Sequence, residues 1–423
     1  MSQRNTNLGW LFLFLVIRFT VAPAQPTEDP LARQAAEIHA RILTVDTHID
    51  WPLHQFHDPG FNAAERHTPG TRISGQWDLI RMKEGGLDAV FMSIFTSQGP
   101  LTDAGYATAK KQALKLIELT KKMAADNPDL AEIALTPEDA YRIEQAGKRA
   151  IFMGMENGYP IGMDLDNVRQ FYDLGVRYIT LTHTKNNEIG DSSTDNKKVW
   201  NGLSPFGEQV VREMNRLGIM VDLSHVHDDT FWDVIALTKA PVIASHSSAR
   251  ALCDHPRNMN DAMLKAVKQN GGVVQVCLLG EYIKKMPPNP QREAALQPLQ
   301  GKIAAWRQGR LSEEEIAKLR EQYQAINAKF PPNRPTLQDA VDHIDHMVKV
   351  MGIDHVGIGS DFDGGGGLMG VDDVSEMPNL TKELLRRGYT EDDIRKIWGG
   401  NLMRVFREVQ KIAQTLQQET TTQ

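Results

Sequence analysis

Short apolar runs alternate with helical segments along most of the chain. Eight of these runs are rich in β-branched residues and nearly continuous in apolar character, which is typical of strands that are buried on both faces of a parallel sheet. The runs occupy residues 42–49, 89–96, 150–155, 177–182, 219–224, 241–246, 272–279 and 355–361. The pattern therefore predicts eight parallel strands.

The segments between the runs predict helices. They include residues 137–147, 204–218, 227–238 and 337–352. Several of these segments begin with Ser, Asp or Pro and end at Gly, as helix caps and stops require. Eight strands that are each followed by a helix favour an α/β fold, a (β/α)8 TIM-type barrel. A doubly wound open sheet is the alternative.

One segment interrupts this alternation. Residues 281–335 contain a stretch rich in Pro and polar residues, followed by a highly charged helical stretch with i,i+4 pairs. We interpret the segment as a helical insertion before the last strand that serves as a lid or an oligomer contact. The alternative is a pair of solvated helices with no role in the chemistry. No linker divides the chain, so residues 25–423 are predicted to form a single domain.

Composition excludes several classes of protein. With 423 residues, of which 41% are hydrophobic and 24% charged, the chain can form a large core and is not a disordered polymer. The net charge of −7 provides no global basic surface, so nucleic acid is not an expected partner. Two cysteines, Cys253 and Cys277, cannot form a disulfide framework or a four-thiolate zinc site. Any metal must therefore be bound by His, Asp and Glu.

The N-terminus has the features of an export signal. Arg4 precedes an apolar run at residues 8–17, and an A-x-A cleavage sequence ends at Ala24. Residues 1–24 are therefore predicted to be a signal peptide, and the mature protein is expected to be periplasmic or extracellular. The run is too short to span a bilayer as a stable helix. An uncleaved membrane anchor is the alternative, and we expect membrane association only in that case.

Histidines and carboxylates occur at the ends of the predicted strands. Because all strands of a barrel point the same way, these side chains are expected to converge on one mouth, where enzymes of this fold have their active sites. The i,i+2 spacing of the first two also places them on one face of a strand. The residues are His48 and Asp50 at the first run, Glu156 after the third, His183 after the fourth, His225 after the fifth, His246 at the end of the sixth and Asp361 at the end of the eighth.

Taken singly, each of these residues has an ordinary structural explanation, such as packing or capping of the next helix. Together they would bring several charges into a low-dielectric centre, where unpaired charge is costly and cations would relieve the cost. Carboxylate and imidazole ligands without thiolates suit Zn²⁺ or another borderline divalent ion. Because the ligands exceed the needs of one tetrahedral site, we expect two ions about 3.5 to 4 Å apart with a bridging carboxylate.

The same residues carry a family resemblance. The motifs VDTHIDWP, GMENG, LTHT, VDLSH, SHSSARALCDHPRN and GIGSDFDG occur in this order on the alternation of strands and helices. In this combination the sequence closely resembles the membrane (renal) dipeptidase family of zinc metallopeptidases, from about residue 36 to residue 410. The resemblance implies a distorted barrel of the amidohydrolase-like group with two zinc ions per subunit. It also suggests a homodimer. This chain is expected to depart from the family in lacking a lipid-anchor tail, and with only Cys253 and Cys277 a family disulfide cannot be assumed.

The resemblance implies a role for each site residue. His48 and Asp50 would bind one zinc ion, His225 and His246 would bind the other, and Glu156 would bridge both. Asp361 matches the residue that handles the catalytic proton and contacts the substrate, His183 matches a substrate-contacting histidine, and Arg257 matches the arginine that holds the substrate carboxylate. Without the resemblance, a surface salt bridge would be the simpler interpretation of Arg257.

The expected reaction is zinc-dependent hydrolysis of dipeptides to free amino acids by a metal-bridging hydroxide, with a D residue tolerated at the C-terminal position. Asp361 would pass a proton to the leaving amine, and His183 would donate a hydrogen bond to the developing oxyanion. The guanidinium of Arg257 matches a free α-carboxylate, which would leave room for one residue beyond the scissile bond. Two alternatives remain: hydrolysis of a lactone, cyclic amide or phosphoester on the same barrel, and an exported binding protein without catalysis.

Overall fold

The computed structural model describes residues 29–67, 75–307 and 311–421. The predicted signal peptide at residues 1–24 lies outside the described residues. Within the described ranges, no helix has both the length and the apolar character needed to cross a membrane.

Parallel strands form the centre of the fold. The described strands are β1 (Val45–Ile49), β2 (Ala89–Phe95), β3 (Ala131–Ile133), β4 (Arg149–Glu156), β5 (Val176–Thr180), β6 (Met220–Asp222), β7 (Ile243–Ala244), β8 (Val273–Cys277) and β9 (Val356–Gly359). Eight of them pair in the order β1-β2-β4-β5-β6-β7-β8-β9, and every pair is parallel.

Backbone hydrogen bonds bring the first and last strands of this order together. Just beyond β9, the N–H of Asp361 donates to the carbonyl of His48 at 3.0 Å. Just beyond β1, the N–H of Asp50 donates to the carbonyl of Phe362 at 2.9 Å. The sheet is therefore a nearly closed barrel of eight parallel strands, and the predicted TIM-type α/β fold is confirmed.

The sheet differs from the prediction in two details. Strand β3, which is not among the predicted strands, pairs with the first residues of β4 and lies off the ring. Its three residues are too few to form a recognisable apolar run. Strands β6 and β7 are shorter than predicted. There the Oδ1 atom of Asp222 accepts hydrogen bonds from the N–H groups of Ser224 at 3.0 Å and Ser245 at 2.8 Å, in place of ladder hydrogen bonds.

Helices surround the sheet. In the described part of the chain the α-helices are α1 (Pro30–His39), α2 (Trp51–His57), α3 (Leu79–Glu84), α4 (Asp103–Asp126), α5 (Pro137–Gln145), α6 (Asp166–Asp173), α7 (Pro205–Leu217), α8 (Asp228–Leu237), α9 (Asp261–Asn270), α10 (Gly280–Ile283), α11 (Pro290–Leu296), α12 (Gln300–Arg307), α13 (Glu313–Lys329), α14 (Leu337–Met351), α15 (Pro378–Arg386), α16 (Glu391–Arg395) and α17 (Asn401–Thr421). The four segments given as predicted helices correspond to α5, α7, α8 and α14. Helices α11, α12 and α13 lie between β8 and β9, within the predicted insertion.

Helix α7 shows how the sequence sets these boundaries. It begins after Ser204, whose side chain accepts a hydrogen bond from the N–H of Gly207. It ends at Gly218, which has a φ of 87°, a left-handed conformation that favours glycine. Residues of both kinds were visible in the sequence, which is why the predicted and observed ends agree.

Alternate residues of β4 show how the inside of the barrel is filled. Phe152 lies near the floor, where its ring contacts Phe406 of α17 with the centroids 5.9 Å apart. Gly154 follows, and its missing side chain leaves room for the ring of Tyr178. Glu156 is the last residue of the strand and reaches the mouth of the barrel. Helix α17 therefore helps to close the floor, and the functional groups lie at the carboxyl ends of the strands.

Candidate active site

Glu156 lies at the centre of the predicted site. Its Oε1 atom is 3.1 Å from Nε2 of His225 and 3.6 Å from Nε2 of His246. Its Oε2 atom is 3.3 Å from Nε2 of His48 and accepts a hydrogen bond from Oγ of Ser93 at 3.1 Å. The two carboxylate oxygens therefore face different imidazoles, which is the arrangement that a bridging ligand needs.

All seven strand-end residues meet at this mouth. In each of three sets, potential ligand atoms lie within 4.8 Å of one another: His48, Glu156 and His246; Glu156, His183 and His225; and His48, Asp50 and Asp361. His48 and His246 are predicted to bind different zinc ions, yet they belong to the same set. The rings of His48 and His246 pack against each other with centroids 3.9 Å apart, so the two predicted sites share a wall.

Two of these residues reach the mouth through unusual backbone conformations. His225 has a φ of 70° and Asp361 a φ of 61°. This left-handed region costs a residue with a Cβ about 1–2 kcal/mol. Each residue follows shortly after a strand, β6 or β9, so the turn directs its side chain toward the centre. Such strain is typical of functional sites, where the surrounding structure holds the residue in place.

Two of the predicted ligand imidazoles, those of His225 and His246, are held in the neutral form that a metal ligand needs, whereas that of His48 is not. Burial opposes a charge on His48, but Tyr178, Glu156 and Asp50 together raise its pKa well above the ordinary histidine value. Burial lowers the pKa of His225 and the pKa of His246 well below the ordinary histidine value, and the Arg257 guanidinium lowers both further. Burial also lowers the pKa of His183. A neutral imidazole keeps a nitrogen lone pair for a cation.

The surroundings shift the pKa values of Glu156 and Asp361 in opposite directions. Burial alone would raise the pKa of Glu156, but the His48 and His183 imidazoles and a hydrogen bond from His225 hold this pKa well below its usual range. Burial raises the pKa of Asp361 well above its usual range, and the nearby Asp50 and Glu156 carboxylates add to the rise against the opposing effect of His48. Glu156 is therefore suited to bind a cation and Asp361 to carry a proton.

Two buried atoms indicate that these residues fit a metal ion. Nε2 of His48 and Oδ1 of Asp50 have no hydrogen-bond partner among the described residues. Nε2 of His48 also lies 3.4 Å from Oδ2 of Asp50, too far for a good hydrogen bond. Imidazole nitrogen and carboxylate oxygen without thiolate are donors that a borderline divalent ion accepts.

A cavity of about 220 Å³ opens at this mouth. Its polar lining consists of Asp50, Glu156, His183, His225, Asp361 and Asp363. Its remaining lining consists of Leu53, Phe95, Leu279, Tyr282 and Gly364. The wall therefore combines the candidate catalytic groups with apolar surface, as small-substrate sites usually do.

Arg257 lies beneath this cavity wall. Its Nη2 donates to the carbonyl of His246 at 3.0 Å, and Nη1 donates to Oγ of Ser247 at 3.4 Å. Its guanidinium carbon is 5.1 Å from the ring centroid of Tyr282, and Nε has no partner in the described part of the chain. With 3% exposure, Arg257 is not a surface residue, so the alternative of a surface salt bridge is wrong.

The match to known families extends over nearly the whole chain. Residues 32–420 match a family described as membrane dipeptidase, peptidase family M19. The chain belongs to this family. It is therefore a metallo-dipeptidase, a hydrolase that acts on peptide bonds, and the family implies a metal cofactor. The resemblance seen in the sequence motifs is confirmed.

Individual dipeptidases are similar along most of their length. Dipeptidase tcpJ of Claviceps purpurea is 33% identical over 375 residues, which cover 87% of this chain and 77% of the relative. Dipeptidase aclJ of Aspergillus oryzae is 32% identical over 414 residues, which cover 96% of this chain and 87% of the relative. The crystal structure of the probable dipeptidase PvdM from Pseudomonas aeruginosa has a TM-score of 0.75 at 34% identity and covers 90% of this chain and 99% of that chain.

Some residues of the dipeptidase site escaped the sequence analysis. Tyr282 lines the cavity from α10, at the start of the segment interpreted as an insertion. Asp363 also lines the cavity, and its position in the SDFDG motif was the available signal. Three further residues lie behind the histidines: Tyr178 contacts His48, Ser245 contacts His246, and Asp222 contacts Ser245. No feature of the sequence distinguishes them from packing residues.

Proposed function

We propose that this dipeptidase holds two zinc ions per subunit and uses them to hydrolyse dipeptides to free amino acids. The main support is the position of Glu156. One of its oxygens faces His48, with Asp50 beside it, and the other faces His225 and His246. A carboxylate so placed can bridge two ions about 3.5 to 4 Å apart.

Bound zinc would lower the pKa of a water molecule toward neutrality and polarise the scissile carbonyl. Asp361 handles the proton of this reaction. Its carboxyl group lines the cavity and lies within 4.8 Å of ligand atoms of His48 and Asp50. From this position it can accept a proton from the attacking water and pass it to the leaving nitrogen, which is a poor leaving group until it is protonated.

His183 lies beside Oε1 of Glu156, the carboxylate oxygen that does not face His48. Its Nε2 is 3.6 Å from Oε1 of Glu156, and its side chain is 19% exposed at the cavity. The ring contacts Phe95 with the centroids 4.7 Å apart, which limits its rotation. A neutral, oriented imidazole can donate a hydrogen bond to the carbonyl oxygen as that oxygen becomes negative.

Arg257 limits the length of the substrate. Its guanidinium packs against Tyr282, which lines the cavity, and it forms no ion pair within the described ranges, so its charge is not neutralised by a carboxylate of the protein. A free α-carboxylate is a good match for the planar fork of arginine. A carboxylate contact this close to the metal ligands leaves room for one residue beyond the scissile bond. Dipeptides rather than proteins are therefore the proposed substrates.

Purified protein should be assayed on an L,L dipeptide, an L,D dipeptide, a tripeptide and a lactone. We expect hydrolysis of both dipeptides, since the proposal includes tolerance of a D residue at the C-terminal position, and little hydrolysis of the tripeptide. Chelation should abolish this activity, and zinc should restore it. Lactone turnover without dipeptide turnover, or full dipeptide activity after complete metal removal, would contradict the proposal.

We also propose that residues 1–24 direct export to the periplasm or the medium and that the mature chain forms a homodimer. The supports are the apolar run and the cleavage sequence for export, and the family resemblance for the dimer. N-terminal sequencing of the protein recovered from each cell fraction tests the first statement. Sedimentation of the mature protein at several concentrations tests the second. Recovery of an uncleaved chain from membranes would instead indicate an anchor.

A further inference from the structure

The imidazoles on the two sides of Glu156 each have a buried hydroxyl at Nδ1. Nδ1 of His48 is 2.9 Å from the phenol oxygen of Tyr178. Nδ1 of His246 is 2.8 Å from Oγ of Ser245. Both hydroxyl-bearing residues are fully buried, neither lines the cavity, and each hydroxyl already donates to a protein oxygen.

Proton counting sets the direction of the first contact. The Tyr178 hydroxyl donates to the backbone carbonyl of Thr47 at 3.0 Å, and a phenol has one proton to donate. The phenol oxygen therefore accepts the hydrogen bond from His48, and Nδ1 of His48 carries the ring proton. In the neutral ring that binds a metal ion, Nε2 of His48 is then left with a lone pair.

This lone pair faces two further acceptors. Nε2 of His48 lies 3.4 Å from Oδ2 of Asp50 and 3.3 Å from Oε2 of Glu156. Acceptors that face one another in a buried site repel unless a cation lies among them. The contact with Tyr178 therefore orients His48 toward a cation and away from a hydrogen bond to either carboxylate.

Ser245 orients His246 in the same way. Oγ of Ser245 donates to Oδ2 of Asp222 at 2.6 Å, so it accepts the hydrogen bond from Nδ1 of His246. Asp222 is fully buried and is held by three further donors, Oγ1 of Thr180 at 2.5 Å and the N–H groups of Ser245 at 2.8 Å and Ser224 at 3.0 Å. A carboxylate thus supports His246 through a hydroxyl, and Nε2 of His246 keeps its lone pair for an ion.

The position of the Tyr178 ring depends on a glycine. Gly154 is paired with Tyr178 across β4 and β5, and a Cβ at residue 154 would lie 2.0 Å from Cζ of Tyr178. Atoms cannot approach this closely, so any side chain at residue 154 would displace the ring. The contact between Tyr178 and His48 therefore requires glycine at this position.

We infer that Tyr178 and Ser245 are positioning residues, each of which fixes the tautomer and orientation of one metal-ligating histidine. The inference rests on the proposed two-ion site. Tyr178 would then set the affinity of the ion beside His48, and Ser245 that of the ion beside His246. Hydrogen-bond partners of this kind typically change metal affinity by about 10- to 100-fold.

The test compares Tyr178→Phe with Ser245→Ala. Metal-free protein is titrated with Zn²⁺ against a competing chelator, and the occupancy of each position is measured by anomalous diffraction. We expect Tyr178→Phe to weaken zinc binding about 10- to 100-fold beside His48 only, and Ser245→Ala to do the same beside His246 only. Unchanged affinities, or equal weakening at both positions by each variant, would overturn the inference.

Two matched variants control for the loss of a buried hydroxyl. Tyr159→Phe removes a phenol that donates to the carbonyl of Pro100 at 2.6 Å. Ser248→Ala removes a hydroxyl that donates to the carbonyl of Cys277 at 3.3 Å. Neither hydroxyl contacts a proposed ligand, so both variants should bind zinc as the unaltered protein does. Weakening as large as that of the test variants would show a general effect of the lost hydroxyl and overturn the inference.

Gly154→Ala provides an independent route to the same result. By displacing the ring of Tyr178 it should reproduce the loss of zinc beside His48 without changing any polar residue, and circular dichroism of the metal-free variant shows whether it has folded. If Gly154→Ala does not fold, Tyr178→Phe still decides the question. An unaltered protein that binds no zinc would instead contradict the proposed function itself, whereas zinc-dependent dipeptide hydrolysis with unchanged variants would contradict only this inference.

Discussion

Nε2 of His225 lies 2.9 Å from Nε2 of His246. Burial keeps both imidazoles neutral, and both nitrogens also face Oε1 of Glu156. A tetrahedral zinc ion about 2.0–2.1 Å from each of two nitrogens holds them roughly 3.3 Å apart. The two rings therefore need to separate only slightly to bind one ion. This half of the site is already close to its metal-binding geometry before an ion binds.

Substitution of Glu156 should remove bound metal as well as activity, whereas substitution of Asp361 should remove activity alone. Glu156→Gln should lose both bound metal and dipeptide hydrolysis, because the bridging oxygens are replaced by an amide that presents one acceptor. Asp361→Asn should keep its metal and lose rate by about 100-fold or more, the typical contribution of a positioned proton carrier. Elemental analysis combined with steady-state kinetics on each variant checks the difference. Equal metal loss in both variants would show that the assigned roles are wrong.

Arg257 should affect substrate affinity more than turnover. Arg257→Ala should raise KM for a dipeptide by about 10- to 100-fold with a smaller change in kcat, since a charge-assisted hydrogen bond contributes about 1.5–3 kcal/mol. The control is a dipeptide amide, which has no α-carboxylate for the guanidinium to bind. KM for the amide should be similar in both proteins. A KM for the free dipeptide that does not change would exclude the carboxylate contact.

Glu383 should stabilise the fold at neutral pH and not in acid. Hydrogen bonds from Arg386 and Arg387 lower its pKa to about 2 in the folded protein, against about 4.5 in the unfolded chain. The ionised group therefore stabilises the protein above pH 4.5, and this contribution is lost as the pH falls toward 2. Glu383→Gln should lower the free energy of unfolding at pH 7 by about 2 kcal/mol, after allowance for the exposure of Arg386.

Urea unfolding at pH 7 and at pH 3 measures this effect, and the difference between the two proteins should be smaller at pH 3. Glu408→Gln is the matched control, because Glu408 and Lys411 form an exposed pair on α17 at 3.8 Å. Its effect should stay within about 0.5 kcal/mol at either pH. A constant effect of Glu383→Gln across this range would contradict the ionic explanation.

Glu188 should destabilise the fold as the pH rises. It is 3% exposed, and burial raises its pKa to about 8. The folded protein therefore retains a proton that the unfolded chain releases above pH 4.5, and stability decreases between pH 4.5 and pH 8. Glu188→Gln removes this titration and should stabilise the protein by about 2–3 kcal/mol at pH 7 and by little at pH 4. Thermal unfolding across this pH range checks the trend, and a variant with lower stability at pH 7 would refute it.

The fold and the main site residues could both be predicted from the sequence, and for the same reason. Buried parallel strands form continuous apolar runs, and their carboxyl ends meet at one mouth. His48, Glu156 and His246 occur where such runs end, so their convergence could be predicted without knowing any distance. The assignment of each of them to one metal ion came from the family resemblance and stays a prediction.

The residues that contact the site histidines from behind could not be predicted from the sequence, because these contacts join distant parts of the chain. Tyr178 lies within a predicted strand and looks like a core residue, yet its hydroxyl meets His48, which is 130 positions away. Ser245 flanks a histidine in a run of small polar residues, and only the structure shows Asp222 behind it. The burial of Arg257 was equally invisible, since an arginine outside the apolar runs is ordinarily expected at the surface.

Closure of the barrel depends on residues near the C-terminal end of the described chain. Helix α17 packs Phe406 against Phe152 beneath the site, and Asp361 meets His48 where the ring closes. A chain still emerging from the ribosome lacks both of these contacts, although it already carries every other histidine and carboxylate of the centre. The ring and its floor can therefore be completed only once α17 is present, so removal of this helix should open the floor beneath the site although the ligand residues remain in the chain.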